Sequence, residues 1–76
     1  MVRAYVLIEM AAGHSRALVD SLKEQEGVRD VARVTGPYDV IVVLQAEDVD
    51  KIAGAVEEKI HPLAGVVRTT TCVSIG

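Results

Sequence analysis

The chain has no tryptophan and no phenylalanine, and only two tyrosines, Tyr5 and Tyr38. Its core must therefore be built from Val, Ile, Leu and Ala, each of which buries little area. The single cysteine, Cys72, excludes an intrachain disulfide and any cysteine-based metal quartet. Its place within the last apolar run leads us to expect a buried small hydrophobe. Basic residues are scattered singly, no Lys/Arg cluster exists, and the formal net charge is -3. That balance argues against a protein that wraps nucleic acid. No apolar run approaches membrane-spanning length, and Met1-Val2-Arg3 opens no cleavage-site pattern, so a soluble cytoplasmic protein is expected.

What is present is strongly apolar: 50% of the 76 residues are hydrophobic. We expect a single domain over 1–76, although a domain of this size hides only about 60% of the surface that its unfolded chain exposes. Such a chain completes its burial with a partner subunit, and an oligomer is expected over a compact Val-rich monomer.

Arg3 to Met10 reads as a strand apolar on nearly both faces. Ser15 is the expected N-cap of a helix running to Gln25 or Glu26, with Leu18 and Leu22 one turn apart and Gly27 as its stop. Val28 to Val34 forms a second strand, with Val28, Asp30, Ala32 and Val34 on one side and Arg29, Val31, Arg33 and Thr35 on the other. Gly36-Pro37 breaks the run, and Asp39 to Gln45 forms a third strand, again apolar on both faces. Asp48 caps a second helix to Ile60, whose Val49, Ile52, Ala53, Val56 and Ile60 recur at helical spacing. Gly54 within it marks a close contact. His61-Pro62 ends that helix, and Val66 to Ile75 is the last strand.

The order is βαββαβ. Right-handed crossovers turn it into a ferredoxin-like α+β fold, with a four-stranded antiparallel sheet of order 4-1-3-2 and both helices on one face. The first and third strands remain apolar on the face that the helices do not cover. Face-to-face packing of two sheets in a dimer is the direct solution.

The pattern from Val28 through Val31, Val34-Thr35-Gly36, then Tyr38-Asp39 and the Val run after it, closing with Gly65-Val66 and Thr69-Thr70-Thr71, resembles the effector-binding (RAM) domain of the Lrp/AsnC transcription regulators. The resemblance covers essentially the whole chain. The first strand begins almost at Met1, so the chain looks like a stand-alone form without the helix-turn-helix domain. The resemblance implies face-to-face dimers associated into octamers or similar rings, a free amino acid as effector between dimers, and no direct DNA binding; such a module acts alone or by association with full-length regulators. Carried over residue by residue, Thr35, Gly36, Pro37, Tyr38 and Asp39 become the wall of the ligand site, with Thr69 and Thr71 joining from the last strand. No metal or cofactor is implied.

In this reading Asp39 takes the ligand ammonium by a charge-assisted hydrogen bond, and turn N–H groups take its carboxylate. The alternative is a tight turn in which Asp39 accepts local backbone bonds. Pro37 stands where the family more often has a polar residue, and it removes one N–H donor. Tyr38 either packs over the effector or caps the sheet edge. Thr69 to Thr71 either bind or simply favour a strand. Tyr5 belongs to an interface or to the core. Glu9 is either wet or near an intersubunit boundary, and His14 and His61 stand at exposed element ends. No Ser-His-Asp or Cys-His set is convincing, so no enzyme is expected.

Three other functions compete. A small dimeric α/β-barrel enzyme would want His and aromatic residues lining a roomy cavity, which this composition does not offer. An ACT-like regulatory domain shares the topology but tends to join sheets side by side. A structural oligomer without ligand is the last.

Overall fold

Apolar, β-branched runs drive the strands, and the computed structural model, which describes residues 1–76, forms a strand from each of the four runs that the sequence predicts. Strand β1 (Val2–Met10) leads to helix α1 (Ser15–Lys23), then to β2 (Val28–Arg33) and β3 (Val40–Ala46). Helix α2 (Val49–Ala55) runs on into one π-helical turn, Val56–Ile60, and β4 (Val66–Val73) closes the sheet. The strands pair antiparallel in the order β2-β3-β1-β4, the ferredoxin-like arrangement, with both helices on one face.

The core lies between that face and the helices. Ala4, Val6 and Ile8 of β1 and Val40, Val42 and Leu44 of β3 meet Leu18, Val19 and Leu22 of α1 and Ile52, Val56 and Ile60. Only these 12 of 76 residues are buried, so much of the apolar surface is left for other contacts. No helix is long and apolar enough to cross a membrane.

Several local expectations are corrected. Ser15 is the first helical residue of α1, not its cap: His14 takes the cap position, and no side chain caps that end. Helix α1 stops at Lys23, because the chain must reverse towards β2, and Gly27 makes the reversal at φ +85. Asp48 does cap α2, its carboxylate accepting the Lys51 N–H at 2.8 Å. The apolar spacing of the second helix does run to Ile60, but its last turn widens to a π-turn closed by the His61 N–H on the Val56 carbonyl at 2.9 Å. Gly54 makes no close contact, since a Cβ there would meet open space.

The expected faces of β2 hold from Asp30 to Arg33 but not at Val28. The pairing slips between Val28 and Asp30, so Val28 and Val31 both pack against the core while Asp30 and Ala32 share the opposite face. A bulge inserts one unpaired residue, here Arg29, and shifts the alternation. β4 ends at Val73, where pairing with Ala4 stops, and Ile75 beyond it is fully exposed.

Candidate ligand site

The segment between β2 and β3 folds into a turn tied to the end of β1. Gly36 holds φ +133, a backbone conformation open to glycine but strained for other residues. The Val34 N–H donates to the Asp39 carbonyl at 2.9 Å, and the Asp39 N–H donates to the Ile8 carbonyl at 2.9 Å. The Asp39 carboxylate then accepts the Met10 N–H at 2.7 Å through Oδ2. That side chain replaces a backbone carbonyl and extends the β1–β3 ladder by one bond. Local backbone bonding by Asp39 is therefore real. It occupies one carboxylate oxygen and leaves Oδ1 without a protein partner.

A cleft of about 420 Å³ opens beside this turn, lined by Ser15, Arg33, Val34, Thr35 and Asp39. Thr35 and Asp39 thus come together as expected. Gly36 and Pro37 form the exposed tip of the turn. Tyr38 leaves the group: its hydroxyl lies 3.5 Å from Thr70 Oγ1, and Thr70 sits across from Leu7 on the sheet face away from the helices. Thr69 and Thr71 pair with Ile8 and Val6, so they face the helices. They line a separate cleft of about 360 Å³ between β4 and α2, where His61 Nε2 lies 2.9 Å from Thr69 Oγ1. Within one chain, Thr69 and Thr71 do not reach the turn.

Arg33 and Ser15 also line this cleft, which the sequence pattern does not announce, although the place of Arg33 beside the turn is a usable signal. The largest cleft, about 630 Å³, lies elsewhere and holds none of the expected residues. Three of its cationic side chains are engaged locally: Arg29 Nε donates to Gln45 at 2.6 Å, Lys51 pairs with Glu47 at 3.4 Å, and Lys59 donates to the Glu26 carbonyl at 3.3 Å.

The uncovered sheet face carries the second feature. Register places Ala32, Ile41, Leu7 and Thr70 in one row across it, and Asp30, Val43, Tyr5 and Cys72 in the next. Leu7, Ile41 and Val43 are half-buried at its centre, and Tyr5 is exposed. Pairs Arg3–Gln45 and Glu9–Arg68 bound these rows at either end. An apolar centre with a polar rim is the anatomy of a protein interface. Tyr5 is thus not core. Cys72, expected to be buried, is exposed beside it, because odd and even residues of β4 take opposite faces and the helices cover only one.

The topology defines a ferredoxin-like α+β domain. The family model described as the Lrp/AsnC ligand binding domain matches residues 3–76, and the chain belongs to that family. Its fold is shared by TTHA0845 from Thermus thermophilus, at 34% identity over 100% of this chain and 95% of that one, with a TM-score of 0.94. The protein FFRP-DM1 is similar at 29% identity over 99% of this chain and 100% of that one, with a TM-score of 0.93. The transcriptional regulator NMB0573 of Neisseria meningitidis, solved as a complex with L-Met, shares the fold at 13% identity and a TM-score of 0.89; the match covers 99% of this chain and 50% of the regulator. Among curated proteins, none matches the chain.

Proposed function

We propose that this domain is an oligomeric, cytoplasmic amino-acid sensor that acts without catalysis and without touching DNA itself. Two copies pack their uncovered sheet faces together, and the dimers assemble further into a ring such as an octamer. A free amino acid binds at the turn from Val34 to Asp39, and the loaded oligomer acts alone or through association with full-length Lrp/AsnC regulators.

The observation that carries the reading is Asp39. One of its carboxylate oxygens is used to hold the turn on β1, while the other is unpartnered in a residue that lines the 420 Å³ cleft. A carboxylate held rigidly by a structural bond suits an ammonium group, since little side-chain freedom is lost on binding. The apolar rows of the open face support the dimer. The complex of the Neisseria regulator with L-Met supports the ligand class. In this reading Thr35, Gly36, Pro37 and Asp39 form the wall, Tyr38 turns away to the open sheet face, and Thr69 and Thr71 join only from a neighbouring subunit.

A thermal-shift screen of the twenty amino acids, with oligomer mass measured by sedimentation in parallel, tests both halves. A ligand that binds the native state raises apparent stability by linkage. At least one amino acid is expected to raise the melting temperature of a multi-chain species. A single-chain mass at micromolar concentration removes the interface reading, and no shift with any amino acid removes the sensor reading.

A further inference from the structure

Arg33 stands in the same cleft as Asp39 and makes no hydrogen bond or ion pair within the chain. Opposite charges that line one small cleft normally close on each other when geometry allows. Here the two side chains form no pair within 4.0 Å, although both residues line the same cleft. The cleft thus carries an exposed, unpaired cation and a half-used anion in its lining. Ser15, the first residue of α1, borders the same space, and no side chain caps that helix end. First-turn N–H groups left uncapped add a weak positive field to the cleft. Meanwhile the tip of the turn has lost a donor at Pro37.

We propose that Arg33 holds the α-carboxylate of the bound amino acid, while Asp39 Oδ1 holds its α-ammonium. The inference rests on the amino-acid reading above and deepens it. A guanidinium presents two parallel N–H donors to a carboxylate, and a planar fork of this kind replaces the backbone donor that proline removes. The site is thus built for a zwitterion with a free carboxylate. Amines, α-amides and peptides with the amino acid at the N-terminus lack the group that Arg33 reads. A bidentate guanidinium contact also differs from a point charge, so lysine at this position restores only part of the affinity.

The test measures calorimetric affinity of the oligomeric protein for the twenty free L-amino acids, each paired with its α-amide. The wild-type protein should prefer the free acid by about 10- to 100-fold, the range of a lost charged hydrogen bond. Arg33→Gln should weaken the free acid by a similar factor and abolish the preference for acid over amide. Arg33→Lys should fall between the two. Loss of that preference is the decisive readout, because a merely structural role of Arg33 would weaken acid and amide alike. Equal binding of acid and amide by wild type, or unchanged binding in Arg33→Gln alongside weakened binding in Asp39→Asn, overturns the role of Arg33 and leaves the sensor reading standing. No binding of any amino acid to wild type overturns both.

Discussion

Gly65 is the position where the fold is least tolerant of a single added methyl group. It holds φ +87, and a Cβ built there would fall far inside contact with Cβ and Cγ of His14. The Gly65 carbonyl also accepts the Ala11 N–H at 2.7 Å, so the loop before β4 cannot simply move away from the β1–α1 connection. Gly65→Ala then carries two separate costs. The left-handed backbone costs about 1–2 kcal/mol for a residue with a Cβ. The forced overlap costs about 1–3 kcal/mol more. Together they are a large fraction of the roughly 4–11 kcal/mol expected for 76 residues. A melting point lower by about 10 °C or more follows from the usual scaling for domains of this size.

The two costs separate in a mutant cycle read by urea unfolding at one fixed protein concentration. His14→Ala removes the ring but keeps its Cβ, and His14→Gly removes both. The cost of Gly65→Ala should therefore fall in order from wild type to the His14→Ala background to the His14→Gly background. In the last, only the backbone cost of about 1–2 kcal/mol should remain. An identical cost in all three backgrounds, or one under about 0.5 kcal/mol in wild type, refutes the steric argument.

Other outcomes follow from the same geometry. Asp39→Ala strands the Met10 N–H and should cost about 1–3 kcal/mol in urea unfolding, whereas Asp39→Asn keeps an acceptor oxygen and should stay within about 1 kcal/mol while still losing amino-acid affinity. Equal destabilisation by both would show that the carboxylate does not secure β1. Leu7→Asp places a charge at the centre of the open face and should reduce the sedimentation mass, with the circular dichroism of the chain retained. An unchanged mass would locate the subunit contacts elsewhere.

Periodicity made much of this fold legible. The paired apolar runs of β1 and β3, the three- and four-residue spacing through Ile60, and the Asp48 cap depend on local chemistry, and the structure reproduces them. The bulge at Arg29 did not announce itself, because a six-residue strand with charges at Arg29, Asp30 and Arg33 carries too few apolar positions to set its own phase. Its register is set by β3 instead. Cys72 was misplaced because exposure in β4 depends on which face the helices cover. The site was half legible: Thr35 and Asp39 are neighbours along the chain and in space. Ser15 arrives from a different element, and Tyr38 and Thr70 approach across β1, so local spacing carried no signal for either.

The turn from Val34 to Asp39 has two adjacent side chains with different allegiances. Asp39 faces the cleft and the backbone of β1, while Tyr38 reaches to Thr70 on the uncovered sheet face. With one peptide bond between them, neither can shift far without the other. In the proposed sensor, an effector that tightens or loosens subunit pairing through this turn must have its own affinity altered by the same factor when the subunits pair. Dilution would then act on such a sensor as ligand does: the concentration of the protein itself would set how much effector is needed to fill the site.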